Sequence, residues 1–225
     1  MIEVTELGCR TRGRWVFRDI SLRIATGEVF GLTGPNGAGK SLLLGVCATL
    51  VRPDAGSVRI AETDVRRRPD AVRRIIGFVP EEVGWDPRMT VREDLEFFAT
   101  AHGLTRSARR AAVDDGLRRW GLREVAGEPM GRLSRGLARR VALARAWLHR
   151  PRVLLLDDPV AGLDGEGQAT LWRELELHAL GGGSALVVAY DVQRLARAAG
   201  RIGVLDGAGL AEVVDVHDAP RVVGG

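Results

Sequence analysis

Gly34-Pro35-Asn36-Gly37-Ala38-Gly39-Lys40-Ser41 matches the phosphate-binding pattern GxxxxGK[ST] in full. Lys40 is the only lysine among 225 residues, and every other long basic side chain is arginine. A compact ammonium can enter a narrow glycine-rich loop and touch β- and γ-phosphate oxygens, whereas a planar guanidinium cannot turn inside it. Lysine at this one position therefore points to nucleotide binding, against the blander reading of a glycine-rich turn without a ligand. The flanks agree. Glu28 to Leu32 reads as a short buried strand and Ser41 to Leu50 as a mostly apolar helix. In that order the glycines let backbone N–H groups turn inward around an anion, and the following helix directs its positive end at it. Ser41 would offer its hydroxyl to Mg²⁺.

Working outward, residues 1 to 80 alternate short strands with turns: Ile2 to Leu7, Ile20 to Ile24, Ser57 to Ile60 and Ile75 to Val79. Residues 88 to 150 read as helices. Thr90-Val91-Arg92-Glu93 is a capping box opening a helix that reaches about His102, and Val113, Leu117 and Trp120 form an apolar stripe on a second. Ser134 caps a third helix, with Leu137, Val141 and Leu148 on one face and Pro151 beyond its end. Strands then return at Val153 to Leu156, Ala185 to Ala189 and Ile202 to Leu205. This alternation predicts an α/β fold, a parallel sheet wrapped by helices, with 88–150 as an inserted helical arm. Gly181-Gly182-Gly183-Ser184 and the tail Gly224-Gly225 are the flexible-looking stretches. The strand Val153-Leu154-Leu155-Leu156 ends in Asp157 and Asp158, at the carboxyl edge where parallel sheets bind ligands. Asp157 is the expected partner of Ser41 in holding Mg²⁺, in preference to a plain helix cap.

Composition narrows the classes. A chain of 225 residues, 45% hydrophobic, can bury one sizeable core. No apolar run approaches the roughly 18 residues of a membrane helix, and Met1-Ile2-Glu3-Val4 lacks signal-peptide character, so a cytosolic chain is expected. Cys9 and Cys47 form no CxxC pair, which favours a reducing compartment without disulfide or metal. Net charge is +4, because 33 basic residues face 29 acidic ones. Arg66-Arg67-Arg68 and Arg73-Arg74 are interrupted by Asp70 and carry no interleaved aromatics, so a solvated face is the better reading and no nucleic-acid partner is expected.

Three motifs together carry a family resemblance: the phosphate loop, Leu133-Ser134-Arg135-Gly136-Leu137 about twenty residues before the aspartate strand, and Gly162-Leu163-Asp164 after it. The chain resembles, end to end, the nucleotide-binding subunit of an ATP-binding cassette (ABC) transporter. Trp85 to Phe98 is similar to the arm of the branch that pairs with separately encoded ABC-2-type permeases and includes drug-resistance exporters. The resemblance implies a P-loop NTPase of the ABC ATPase fold. It would have a mostly parallel core sheet, an N-terminal antiparallel β subdomain and an inserted α-helical arm. Residues 1–225 would form one nucleotide-binding domain, 1–87 and 151–225 being the ATP-binding core and 88–150 the helical signature subdomain. ATP would rest on Gly34, Pro35, Asn36, Gly37, Ala38, Gly39, Lys40, Ser41 and Leu42. The metal ligands would be Ser41 and Asp157 with Glu81. In a head-to-tail dimer, Leu133, Ser134, Arg135 and Gly136 of one chain would meet the nucleotide of the other, a helix N-terminus on a γ-phosphate. Expected partners are a second ATP-binding subunit and a multi-span membrane permease, with this chain peripheral at the inner face of the cell membrane. Export rather than import rests on analogy alone.

The same resemblance exposes four departures. The glutamate that polarises the attacking water is Asp158 here, set back by about 1.5 Å. The histidine that braces the γ-phosphate is Tyr190, which can donate one hydrogen bond but cannot share a proton as imidazole does. The glutamine near metal and water is Glu81, a replacement seen in this branch. Thr11 stands where an aromatic ring usually stacks on adenine, with Trp15 a candidate substitute. Binding groups are thus kept while catalytic groups change, which implies an ATPase with a slow site of its own and an intact signature for its partner. A regulatory subunit that closes on ATP without useful hydrolysis, and a soluble cassette protein outside transport, remain alternatives.

Overall fold

The computed structural model describes residues 1–206 and 209–216; the Gly224-Gly225 tail lies outside them. The chain opens with a long hairpin, β1 (Ile2–Thr11) and β2 (Arg14–Ile24), joined by Arg12 and Gly13 at φ of 52° and 77°. The separate short strands expected at Ile2 to Leu7 and Ile20 to Ile24 are therefore the far ends of one ribbon. Arg-Gly is a weak turn signal beside Asn-Gly, and bulges in β1 break the alternation that would have betrayed the ribbon's length. Next come β3 (Val29–Thr33), α1 (Lys40–Cys47), β4 (Ala55–Ile60), β5 (Thr63–Asp64), α2 (Pro69–Arg73) and β6 (Ile76–Val79). Three helices follow, α3 (Val91–Ala101), α4 (Arg106–Arg119) and α5 (Arg135–Trp147). The chain closes through β7 (Val153–Asp157), α6 (Gly165–Leu180), β8 (Ser184–Val188), α7 (Val192–Leu195), β9 (Arg201–Leu205) and β10 (Leu210–Asp215).

Two sheets result. One is antiparallel, in the order β2-β1-β4-β5; the other runs β10-β9-β3-β8-β7-β6 and is parallel except at β10. Both faces of the larger sheet are covered, which is why its central strands are unbroken apolar runs. Alternation sorts their side chains. Phe30, Leu32, Val153, Leu155, Leu186 and Val188 face the antiparallel sheet and α1, while Leu154, Leu156, Ala185 and Val187 face the helices. Leu154, Leu155 and Leu156 are fully buried, each contributing about 2 kcal/mol to that packing.

The helical stretch follows its local signals at its start. The Thr90 hydroxyl oxygen accepts from the Glu93 N–H and the Glu93 carboxylate accepts from the Thr90 N–H, a complete capping box, and Val113, Leu117 and Trp120 are all buried. α5 departs from the expected one-sided stripe: every residue from Ala138 to Ala146 is buried. Arg139, Arg140 and Arg145 lie inside because each finds acceptors there. The sixteen-residue α6 carries no sequence expectation, since Gly165 and Gly167 in its first turn lower helix propensity and only Leu171 and Leu175 mark a buried face among its apolar residues. Among the described residues no helix is long and apolar enough to cross a membrane.

Candidate nucleotide-binding site

The register places the chemistry at one end of the larger sheet. Leu32 of β3 pairs with Val188 of β8, and Val188 pairs with Asp157 of β7. Val79 of β6 pairs with Leu156, so Pro80 and Glu81 leave the sheet beside Asp157. The loop from Gly34 to Ser41, the acids at 157 and 158, Glu81 and Tyr190 all therefore leave carboxyl ends of parallel strands, at the place where chain crossovers open a crevice.

Two glycines shape the loop. Gly34 has φ 144°, and a Cβ there would come within 2.0 Å of the Leu205 carbonyl oxygen. Gly39 has φ 98°, and its Cβ would meet the Phe17 ring at 2.6 Å and the Val16 side chain at 2.9 Å. Val16, which no sequence signal marked, thus lies against the loop. Ala38 and Lys40 are buried, whereas Pro35, Asn36, Gly37 and Ser41 are open to solvent. The Lys40 ammonium donates to the carbonyls of Gly34 (2.8 Å) and Pro35 (2.9 Å), and lies 4.6 Å from the centre of the Tyr190 ring. Burial pulls the Lys40 pKa below its ordinary value, against the pull of Asp157 and Glu81.

Asp157 is 5% exposed. Burial pushes its carboxyl upward, the hydrogen bond from Ser41 opposes this, and Glu81 and Asp158 add to the push. Asp158 holds the left-handed backbone, φ 40°, with its N–H on the Val188 carbonyl at 2.9 Å. Its carboxyl is also raised by burial, opposed by Arg139 and Arg194. Among the described residues no cluster of three metal-ligating side chains exists. A hydroxyl bonded to one buried carboxylate nonetheless suits Mg²⁺, which takes few protein oxygens and completes its shell with phosphate and water.

The signature segment is at the surface. Ser134 caps α5, its Oγ accepting from the Leu137 N–H at 3.2 Å, so the hydroxyl proton stays available to an incoming acceptor. Arg135 is exposed, and Gly136 is required because a Cβ would lie 2.8 Å from the Gly162 carbonyl oxygen. Leu133 is half-buried against the helical core. Thr11 sits exposed at the hairpin turn opposite Arg14. Trp15 lies opposite Arg10, whose guanidinium covers the ring at 4.1 Å.

Sequence reading missed the arginines of α5. Arg139 donates to the carbonyls of Pro80 (2.7 Å), Glu81 (3.2 Å), Asp157 (2.9 Å) and Asp158, so one buried guanidinium joins the Glu81 loop to the acid pair. Arg140 pairs with Asp164 at 2.5 Å and Glu166 at 3.2 Å, tying α5 to the turn after β7. Arg145 forks onto Asp94 of α3, 2.5 Å from Oδ1, and donates to the Gly84 carbonyl at 2.9 Å. Nothing short of the three-dimensional fold reveals these partners, which lie 18 to 61 residues away in sequence.

A glycine-rich loop closing on a buried lysine, beside a carboxylate at the end of a parallel strand, defines a nucleotide-binding ATPase of the phosphate-loop class. The family profile described as ABC transporter matches residues 17–161. The chain is 35% identical over 223 residues to the Nod factor export ATP-binding protein I of Burkholderia pseudomallei, covering 99% of this chain and 72% of that one. It is 37% identical over 187 residues to the daunorubicin resistance ATP-binding protein DrrA3 of Streptomyces coeruleorubidus, covering 83% of this chain but only 59% of that protein. A solved dimeric structure of a bacterial ABC transporter cassette superposes with a TM-score of 0.87 at 26% identity, over 96% of this chain and 99% of that one. The chain belongs to the ABC transporter family, as an ATP-binding subunit with the ABC ATPase fold.

Proposed function

We propose that this chain binds Mg-ATP on Gly34–Ser41 and closes head to tail on a second ATP-binding subunit to drive a separate multi-span permease at the inner face of the membrane. The observation that carries this is charge at the site: Glu81, Asp157 and Asp158 converge there against Lys40 and Arg139. A triphosphate entering that field needs a divalent cation beside Ser41 and Asp157, and Lys40 supplies the fixed positive charge on the other side. The similarity to subunits named for export and drug resistance supports an exporter. The exposed rings of Trp85 and Phe97 on the arm offer apolar surface to an amphipathic permease helix, with 88–150 acting as the signature subdomain.

In this reading the signature serves the partner's nucleotide while the chain's own site turns over slowly. Ser134, whose Oγ accepts from Leu137 and keeps its own proton to donate, and Gly136 at the start of α5 would meet the opposite γ-phosphate. Asp158 holds a short side chain on a left-handed backbone, and general-base catalysis worth about 10²- to 10⁴-fold depends on its reach to water. A catalytically competent second subunit would make the asymmetry useful. The alternative of a non-hydrolysing regulatory subunit is favoured by one contact, the Tyr190 ring over Lys40. Single-turnover hydrolysis of Mg-ATP by the intact chain, after calorimetry has established binding, tests both. Slow but measurable turnover supports the proposal, turnover below detection supports the regulatory subunit, and no binding refutes both.

A further inference from the structure

We propose that the cavity between α4, α5 and α6 is a second ligand site, for a small aromatic anion: a flat apolar body carrying a carboxylate or sulfonate. It stands apart from the phosphate loop and does not rest on nucleotide binding there.

The cavity holds about 1130 Å³, enough for a drug-sized molecule. It lies at the opposite end of the larger sheet from the nucleotide crevice. Arg152 and Gly183 on its wall precede β7 and β8, whereas Asp158 and Tyr190 follow them, and a five-residue strand separates the two ends by about 16 Å. Its floor is made of small side chains. Ala108, Ala112 and Gly116 recur every fourth residue on one face of α4, and a Cβ on Gly116 would still stand 3.8 Å from the Ala144 methyl of α5. Beside that floor stand the rings of Trp120 and Trp147, with centroids 5.5 Å apart and an interplanar angle of 62°, apolar surface suited to an aromatic body. Two side chains of the wall each carry a buried polar atom without a partner among the described residues. Trp120 is 1% exposed, and its Nε1–H finds no acceptor. His149 donates from Nε2 to the Ile76 carbonyl, so its bare Nδ1 finds no donor. Polar atoms buried in this way call for a partner, which a ligand bearing both an acceptor and an N–H or O–H would supply. Charge sets the sign of that ligand. Arg119 is committed to Asp115 at 2.6 Å and Glu174 at 2.8 Å, whereas Arg150 and Arg152 are exposed at the rim and have no ion pair among the described residues. Two uncommitted guanidiniums favour an anionic group.

Fluorescence titration of the intact chain with anilinonaphthalene sulfonate, and with phenylnaphthylamine as its uncharged counterpart, tests this. The sulfonate should bind saturably at one site per chain, and saturating Mg-ATP should not displace it. Arg150→Gln with Arg152→Gln should weaken the sulfonate about three- to tenfold and leave the amine within twofold. Ala108→Trp, at an exposed position of the floor, should weaken both probes at least tenfold with the circular dichroism spectrum unchanged; if that variant does not fold, the arginine pair decides. Naphthalene sulfonate should displace the probe at a lower concentration than octanoate. Unsaturable binding, displacement by Mg-ATP, sulfonate affinity indifferent to the arginine pair or to a folded Ala108→Trp, or octanoate as the better competitor would each overturn the inference.

Discussion

Replacing Arg139 by methionine removes one guanidinium that bonds four backbone carbonyls in two loops. Arg139 is 5% exposed and makes no ion pair among the described residues, so its charge is compensated by carbonyl dipoles and by the nearby acids. Hydrogen bonds to a charged donor contribute about 1.5–3 kcal/mol each. The desolvation of a buried cation offsets much of that sum, and methionine refills the volume of the stem. A net loss of about 3 kcal/mol follows, close to that for breaking a buried ion pair. For a chain of this length that corresponds to a melting temperature lower by about 6–12 °C. None of the four carbonyls belongs to Gly34–Ser41, so ATP affinity should stay within threefold while single-turnover hydrolysis falls at least tenfold. Thermal unfolding, calorimetric binding and rapid-quench hydrolysis on one preparation read all three. A melting shift below 3 °C, or affinity falling in step with turnover, would refute the view that Arg139 holds the acid pair and the Glu81 loop in register.

Asp158→Glu combined with Tyr190→His should raise turnover at least tenfold by restoring reach to the water and a group able to share a proton; unchanged turnover would place the slow step elsewhere. His149 stacks on His102 at 3.6 Å, is bonded at Nε2 to the Ile76 carbonyl at 2.9 Å, and has its pKa lowered by burial to about 4. A group depressed below its unfolded value of about 6.5 stabilises the fold above that pH, and the contribution is lost as pH falls toward 4. The urea midpoint should therefore decline as pH drops through this window, and His149→Phe should flatten the decline, with the similarly lowered His102 and His178 leaving a residual slope. Identical pH profiles for parent and variant would count against His149 as a source of acid sensitivity.

What was legible in the sequence was what short-range chemistry dictates. The phosphate loop needs its glycines and lysine within eight positions, the capping box at Thr90 and Glu93 closes within one turn, and Asp157 is marked by the apolar strand before it. What stayed hidden depends on distant partners. The arginines of α5 carried no expectation because nothing in their own helix satisfies them, and α6 escaped because a glycine-rich start masks a helix anchored by tertiary packing. The Tyr190 ring over Lys40 joins residues 150 positions apart, and only the strand order β3-β8-β7 brings them together.

The arginines of α5 also bear on which changes of chain length the protein can tolerate. Successive helical residues turn by about 100°, so Arg139, Arg140 and Arg145 point from the axis at roughly 0°, 100° and 240°. They grip the Glu81 loop and acid pair, the Asp164 turn and the Asp94–Gly84 corner from three sides, as the jaws of a chuck hold a shaft. Deleting one residue between Arg140 and Arg145 would swing the third jaw by a full 100° while leaving composition and hydrophobicity almost unchanged. Insertions and deletions inside α5 should therefore be far less permissible than substitutions at its lining alanines.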